Sequence, residues 1–214
     1  MDIYVLLDRT GSMARRWDEA VNAVNVYVQD VVKAVGRDLL TDADRATLAV
    51  FDRHNGTRFD VLRDAMPLTR WTPLAADEVL PRGDTPLLDA VVRMAALAEA
   101  KGGERAVVVV MTDGEENAST EATRATAKAA LDRLRAKNWQ VVFLGADFDA
   151  FAEAGALGTP RGQTISTPSG HYANAMHSTA TRTAAYRSTG ATMNYTDQDR
   201  KDAGEDEVTG KTGP

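Results

Sequence analysis

At 214 residues the chain has room for one α/β domain with a substantial core, and too little for two ordinary domains and a linker. It is 43% hydrophobic and 26% charged, and no apolar run approaches the roughly 20 residues that a membrane span requires, so no membrane partner is expected. The 25 Lys and Arg against 31 Asp and Glu leave a net charge of -6 without a basic stripe, which argues against nucleic acid, and the absence of Cys excludes disulfides, thiolate metal sites and cysteine nucleophiles.

Residues 3–7 (Ile-Tyr-Val-Leu-Leu) form a short apolar run that reads as a strand buried on both faces. No basic segment, long apolar stretch or small-residue cleavage site precedes it, so a cytoplasmic location is expected. From Ser12 a helical period places Trp17, Val21, Val24, Val28, Val31, Val32 and Val35 on one stripe, with Arg15, Asp18, Asn22, Asn25 and Gln29 facing away and Gly36 as the stop. Residues 46–51 and 58–62 are strand-like and are joined through Asn55-Gly56, a strong hairpin signal, so they should pair antiparallel. After a Pro-bearing stretch a second helix spans about 86–101, stopped by Gly102-Gly103. Residues 106–111 are the most buried-looking strand, a third helix follows over about 120–137, and 139–144 make another strand. A short helix around Asp149 to Ala154, a strand at 163–166 and a helix over about 169–187 close a domain of residues 1–188. Residues 189–214 carry few large apolar side chains, several acids and repeated Gly, the composition of a disordered or loosely attached tail. Strand and helix alternate, as in a mostly parallel sheet covered by helices on both faces.

Three loops concentrate oxygen-bearing side chains: Asp8-Arg9-Thr10-Gly11-Ser12, Gly83-Asp84-Thr85-Pro86 and Thr112-Asp113-Gly114. If the runs 3–7 and 106–111 are parallel neighbours, the first and third loops leave the carboxyl ends of their strands, where open α/β sheets bind ligands. Asp8 and Asp113 then face one crevice and repel each other unless a cation lies between them. Hydroxyls of Thr10, Ser12 and Thr85 can complete an all-oxygen shell, which suits a hard divalent ion. Two formal negative charges and room for solvent favour Mg2+ or Mn2+ that keeps waters and a replaceable position over caged Ca2+.

Asp8-Arg9-Thr10-Gly11-Ser12 resembles the D-x-[S/T]-x-S signature of the von Willebrand factor type A (VWA) domain. Thr85 stands where that family has an isolated threonine before a helix, and Asp113 in "VVVVMTDGEEN" matches its second aspartate. The resemblance spans about residues 1–187 and implies a Rossmann-like, doubly wound sheet with one antiparallel edge strand. It also implies a metal-ion-dependent adhesion site. Thr10, Ser12 and Thr85 are then direct or switchable metal ligands, and Asp8 and Asp113 bear charge, partly through water. Thr10 replaces the commoner serine, and Asp84 precedes Thr85 where a small or uncharged residue is more usual. "YVLLDRTGSM" and "FLGADFDA" are also similar to short standalone bacterial and phage members.

Blander readings compete residue by residue. Ser12 can cap the first helix, and Thr85 before Pro86 fits an N-cap with proline at the first helical position. An aspartic-protease motif would need Asp followed directly by Thr or Ser and then Gly; Arg9 interrupts it, and Gly114 follows Asp113. His54, His171 and His177 read as surface residues, and Glu115 and Glu116 as a solvated rim or, for hydrolysis, a general base. The expected function is a non-enzymatic, metal-dependent protein-binding module whose open position takes an Asp or Glu of a protein ligand. By resemblance, that ligand is an AAA+ ATPase or an assembly component. The alternatives are a metal-dependent hydrolase and a self-associating structural component of a phage particle.

Overall fold

Ile3, Val5 and Leu7 point to one side of the first strand and Tyr4 and Leu6 to the other, and all five are buried, so this strand sits at the centre of a sheet covered twice. The computed structural model of the chain describes residues 1–148 and 150–210. Asp149, at the start of the expected short helix, and residues 211–214 of the expected tail lie outside the described residues.

The strands are β1 (Asp2–Asp8), β2 (Arg45–Arg53), β3 (Thr57–Pro67), β4 (Ala106–Thr112), β5 (Gln140–Ala146) and β6 (Thr164–Thr167). They form one sheet in the order β3-β2-β1-β4-β5-β6, parallel throughout except for the β2–β3 hairpin. The helices are α1 (Trp17–Val35), α2 (Leu87–Lys101), α3 (Arg124–Ala136), α4 (Phe151–Ala156), α5 (Tyr172–Thr189), α6 (Asp197–Asp202) and α7 (Glu205–Thr209). One face of the sheet packs beneath α1 and α5, the other beneath α2, α3 and α4. The expected α/β, Rossmann-like architecture with an antiparallel edge is therefore the architecture found.

Local departures have local causes. The hairpin turns at Asn55-Gly56, both at positive φ (55° and 103°). Its second strand runs past residue 62 because two register shifts and the positive-φ Ala65, whose N–H reaches Thr47 Oγ1 at 3.0 Å, let the ladder continue to Pro67. Helix α3 begins later than its pattern predicts: the N–H groups of Thr120, Glu121 and Ala122 all donate to the buried Asp89 carboxylate, and Thr123 caps the helix behind them. Asn25, expected to face solvent, clamps Leu74 through both its main-chain groups at 2.9 Å and fixes the stretch between β3 and α2. Among the described residues no helix is long and apolar enough to cross a membrane.

The loose tail expected from residue 189 is a correction. Met193, Tyr195, Ala203 and Val208 are buried, and the first three join the core under α1 and α5. Tyr195 Oη meets Thr179 Oγ1 at 2.8 Å, and the Met193 N–H donates to Gln140 Oε1 at 3.0 Å. Two of the segment's acids are buried and paired: Asp199 with Arg182 and Glu205 with Arg200, each at 2.6 Å. Composition fails here because a few apolar anchors and paired charges hold a segment of low mean hydropathy. Tyr195→Ala is expected to destabilise the protein by about 3 kcal/mol in urea unfolding, whereas a loose tail would leave the midpoint unchanged.

Candidate metal centre

Parallel pairing of β1 with β4, Leu7 opposite Met111, brings Asp8 and the Thr112-Asp113 corner to adjacent strand ends. Asp8 is wholly buried; its Oδ1 accepts the Thr10 N–H and its Oδ2 the Thr112 hydroxyl, both at 2.7 Å. Above it the side chains form a connected run. Thr85 Oγ1 donates to Thr10 Oγ1 at 3.3 Å, Thr10 Oγ1 lies 3.1 Å from Ser12 Oγ, and Ser12 Oγ donates to Asp113 Oδ1 at 2.7 Å. All five residues singled out in the sequence thus converge at one sheet edge. Neither Ser12 nor Thr85 makes a side-chain helix cap; their hydroxyls are turned toward this run instead.

The backbone explains the convergence. Arg9 N–H bonds Phe51 O, Arg82 N–H bonds Arg9 O and Gly11 N–H bonds Gly83 O, lacing the first loop to β2 and to the Thr85 loop. Gly83 has φ of 69°, and a Cβ there would lie 2.1 Å from Arg53 O, so only glycine allows this approach. Asn117, which the sequence reading passed over, accepts the Thr85 N–H at 2.9 Å and donates its own N–H to Thr85 O at 3.1 Å, fixing the threonine from both sides. Asp84 is exposed and held by main-chain pairing with Arg53. Arg9 is buried and pairs with Asp52 and Asp60, away from the hydroxyls.

Glu116 is not a solvated rim. Its carboxylate accepts the N–H groups of Leu88, Ala118 and Ser119 and the Ser119 hydroxyl, so it braces the start of α2, while Glu115 is exposed. His54 is exposed on the hairpin turn, His171 approaches Asp202 O and His177 pairs with Asp30 on α1; none belongs to the site. Two further residues do, and the sequence reading missed both. Arg16 Nη1 lies 3.3 Å from Asp113 Oδ2 and 3.1 Å from Asp147 Oδ2, at the end of β5.

Burial pushes the Asp8 carboxyl up to about 7 despite the stabilising hydrogen bonds from Thr112 and Thr10, and the nearby Asp113 charge adds to the rise. Burial likewise raises Asp113, opposed by Ser12 and Arg16. A folded-state value above the unfolded one means that the folded chain holds an extra proton between about pH 4 and 7. Stability of the metal-free protein should therefore fall as pH rises through that window, by up to about 4 kcal/mol, and level off above it. Carboxylates held low, such as Asp44 and Asp199, act below the window. Urea midpoints in chelator across pH 4 to 8 check this; a rising midpoint would contradict it.

The donor set fits a hard divalent ion: three hydroxyls, one carboxylate oxygen already sharing their hydrogen bonds, and a second, buried carboxylate that is costly to ionise without a cation. Among the described residues no group of three or more His, Cys, Asp or Glu is placed to hold a metal ion.

No family model and no curated protein matches this sequence. Solved structures do. The VWF domain of the type V pilus tip protein Mfa5 from Porphyromonas gingivalis superposes with a TM-score of 0.63 at 11% identity, covering 92% of this chain and 98% of that one. The chain has the VWA fold. The manganese-loaded TRAP protein of Plasmodium vivax follows at 0.57 and 16% identity, covering 85% and 73% of the two chains. Proximal thread matrix protein 1 from the mussel byssus gives 0.61 and 17% identity, covering 86% of this chain and 46% of that one, so the chain spans about half of that protein's length. At these identities the likeness concerns the VWA fold alone.

Proposed function

We propose that this VWA fold is a divalent-metal-dependent protein-binding module. The observation that carries the reading is the unbroken run of oxygens from Thr85 through Thr10 and Ser12 to Asp113, set over the buried Asp8 at the carboxyl edge of the sheet. Thr10, Ser12, Thr85, Asp8 and Asp113 would hold Mg2+ or Mn2+; the manganese-loaded TRAP protein supports the choice. The ion supplies a Lewis-acidic position for the Asp or Glu carboxylate of a protein partner. This chain's part is to prearrange the donors, and the Gly11–Gly83 hydrogen bond and the Asn117 clamp hold the loops that carry them.

The partner class is a protein with an exposed acidic side chain, such as an AAA+ ATPase or an assembly component, met in the cytoplasm. A hydrolase reading loses Glu116 as its base, since both of its oxygens are engaged. The test is recovery of bound proteins from the host lysate on the immobilised chain with Mg2+, with chelator, and with Asp113→Ala. The reading expects a set retained only by the Mg2+-loaded wild type; one set retained in all three cases overturns it.

A further inference from the structure

Arg16 places a permanent positive charge at the edge of the oxygen run. It lies four positions beyond Ser12, at the end of the 3-10 turn Gly11–Arg16, so the turn that offers the Ser12 hydroxyl also carries the guanidinium. The two oxygens of Asp113 are divided between them: Oδ1 takes the Ser12 hydroxyl and Oδ2 faces Arg16 Nη1. The same Nη1 faces Asp147 Oδ2. Asp147 is itself fixed, by the Ser169 N–H on Oδ1 at 2.6 Å and the Tyr172 hydroxyl on Oδ2 at 3.0 Å, and it holds φ of 62°. The guanidinium therefore has two carboxylates to choose between, only one of which belongs to the oxygen run.

We propose that Arg16 is a tethered counter-cation that competes with the divalent ion for Asp113, and thereby sets how tightly the site holds metal. The inference rests on the metal-binding reading above. With no ion, the guanidinium neutralises Asp113. When the ion draws on Asp113, Arg16 keeps Asp147 as its anchor, so it is displaced without being stranded as an unpaired charge. Repulsion between guanidinium and ion remains, because Asp147 holds Arg16 near the site, and it lowers affinity relative to a neutral side chain. The consequence is a site that loads at higher metal concentration than its oxygen set alone would require.

The test is calorimetric titration of MnCl2 into the full chain at pH 8, comparing wild type with Arg16→Gln, Arg16→Met and Arg16→Lys. The two neutral variants should bind Mn2+ at least roughly tenfold more tightly, and Arg16→Lys should stay within about threefold of wild type. Melting supplies an independent readout: in chelator the neutral variants should melt lower than wild type, since Asp113 has lost its counter-charge, and Mn2+ should raise them further than it raises wild type. Unchanged or weakened Mn2+ binding in either folded neutral variant overturns the inference. If wild type binds one ion that Asp113→Ala does not, while Arg16→Gln matches wild type, the metal reading stands and only this inference falls. If neither wild type nor the neutral variants take up Mn2+, both fall.

Discussion

Asp8→Asn is expected to weaken Mn2+ binding by a hundredfold or more while leaving the metal-free fold as stable as wild type, or more so, at pH 8. The two effects have one cause. Asp8 is wholly buried, and burial holds its carboxyl at about 7, so ionising it at pH 8 costs the metal-free protein stability that a neutral amide does not forfeit. The amide oxygen can still accept the Thr10 N–H, so the loop keeps its shape. What disappears is the negative charge that a divalent ion needs beneath the hydroxyls. The fall in stability between pH 4 and 7 should also flatten in this variant. Calorimetry gives the affinity and urea midpoints at several pH values give the stability; a variant that unfolds more easily at pH 8 yet binds Mn2+ normally would make Asp8 a purely structural residue.

Gly83→Ala is expected to cost about 4 kcal/mol or more, enough to leave much of the protein unfolded at ordinary temperatures. Two penalties add at this position. The backbone φ of 69° is unfavourable for a side-chain-bearing residue, and the new Cβ would lie 2.1 Å from Arg53 O and 2.7 Å from its carbonyl carbon. Those atoms are main chain of β2, which cannot move without disturbing the Arg53–Asp84 bridge and the Gly11–Gly83 hydrogen bond that align Thr85 with Thr10. Far-ultraviolet circular dichroism and thermal melting read the loss directly. Gly56→Ala, at another positive φ but with open space around the Cβ, serves as the comparison and should cost only about 1 kcal/mol.

Residues that repeat with a local period were the legible ones. Tyr4 and Leu6 against Ile3, Val5 and Leu7 mark a doubly covered strand, and Asn55-Gly56 marks the hairpin, because periodicity and turn chemistry act between near neighbours in sequence. The strand order came from the resemblance to VWA domains, since a parallel crossover leaves no local mark. Asp8, Thr10, Ser12, Thr85 and Asp113 were visible as three oxygen-bearing loops. Asn117 and Arg16 were not, because each owes its role to a side chain or main-chain group far along the chain: Thr85 for Asn117, and Asp113 and Asp147 for Arg16. The ordered segment from Met193 to Val208 was missed for a related reason. Asp199 and Glu205 carry no sign of burial until Arg182 and Arg200 are placed beside them, and the segment's anchoring depends on Tyr195 meeting Thr179 within the α1–α5 layer.

The most direct test is an anomalous-scattering map from crystals of the chain grown with MnCl2. One manganese peak per chain is predicted at the carboxyl edge of β1 and β4, contacting the hydroxyls of Thr10 and Ser12, with Asp8 and Asp113 within reach directly or through water. A manganese-saturated crystal with no peak there, the five side chains still joined only to one another, would contradict the account.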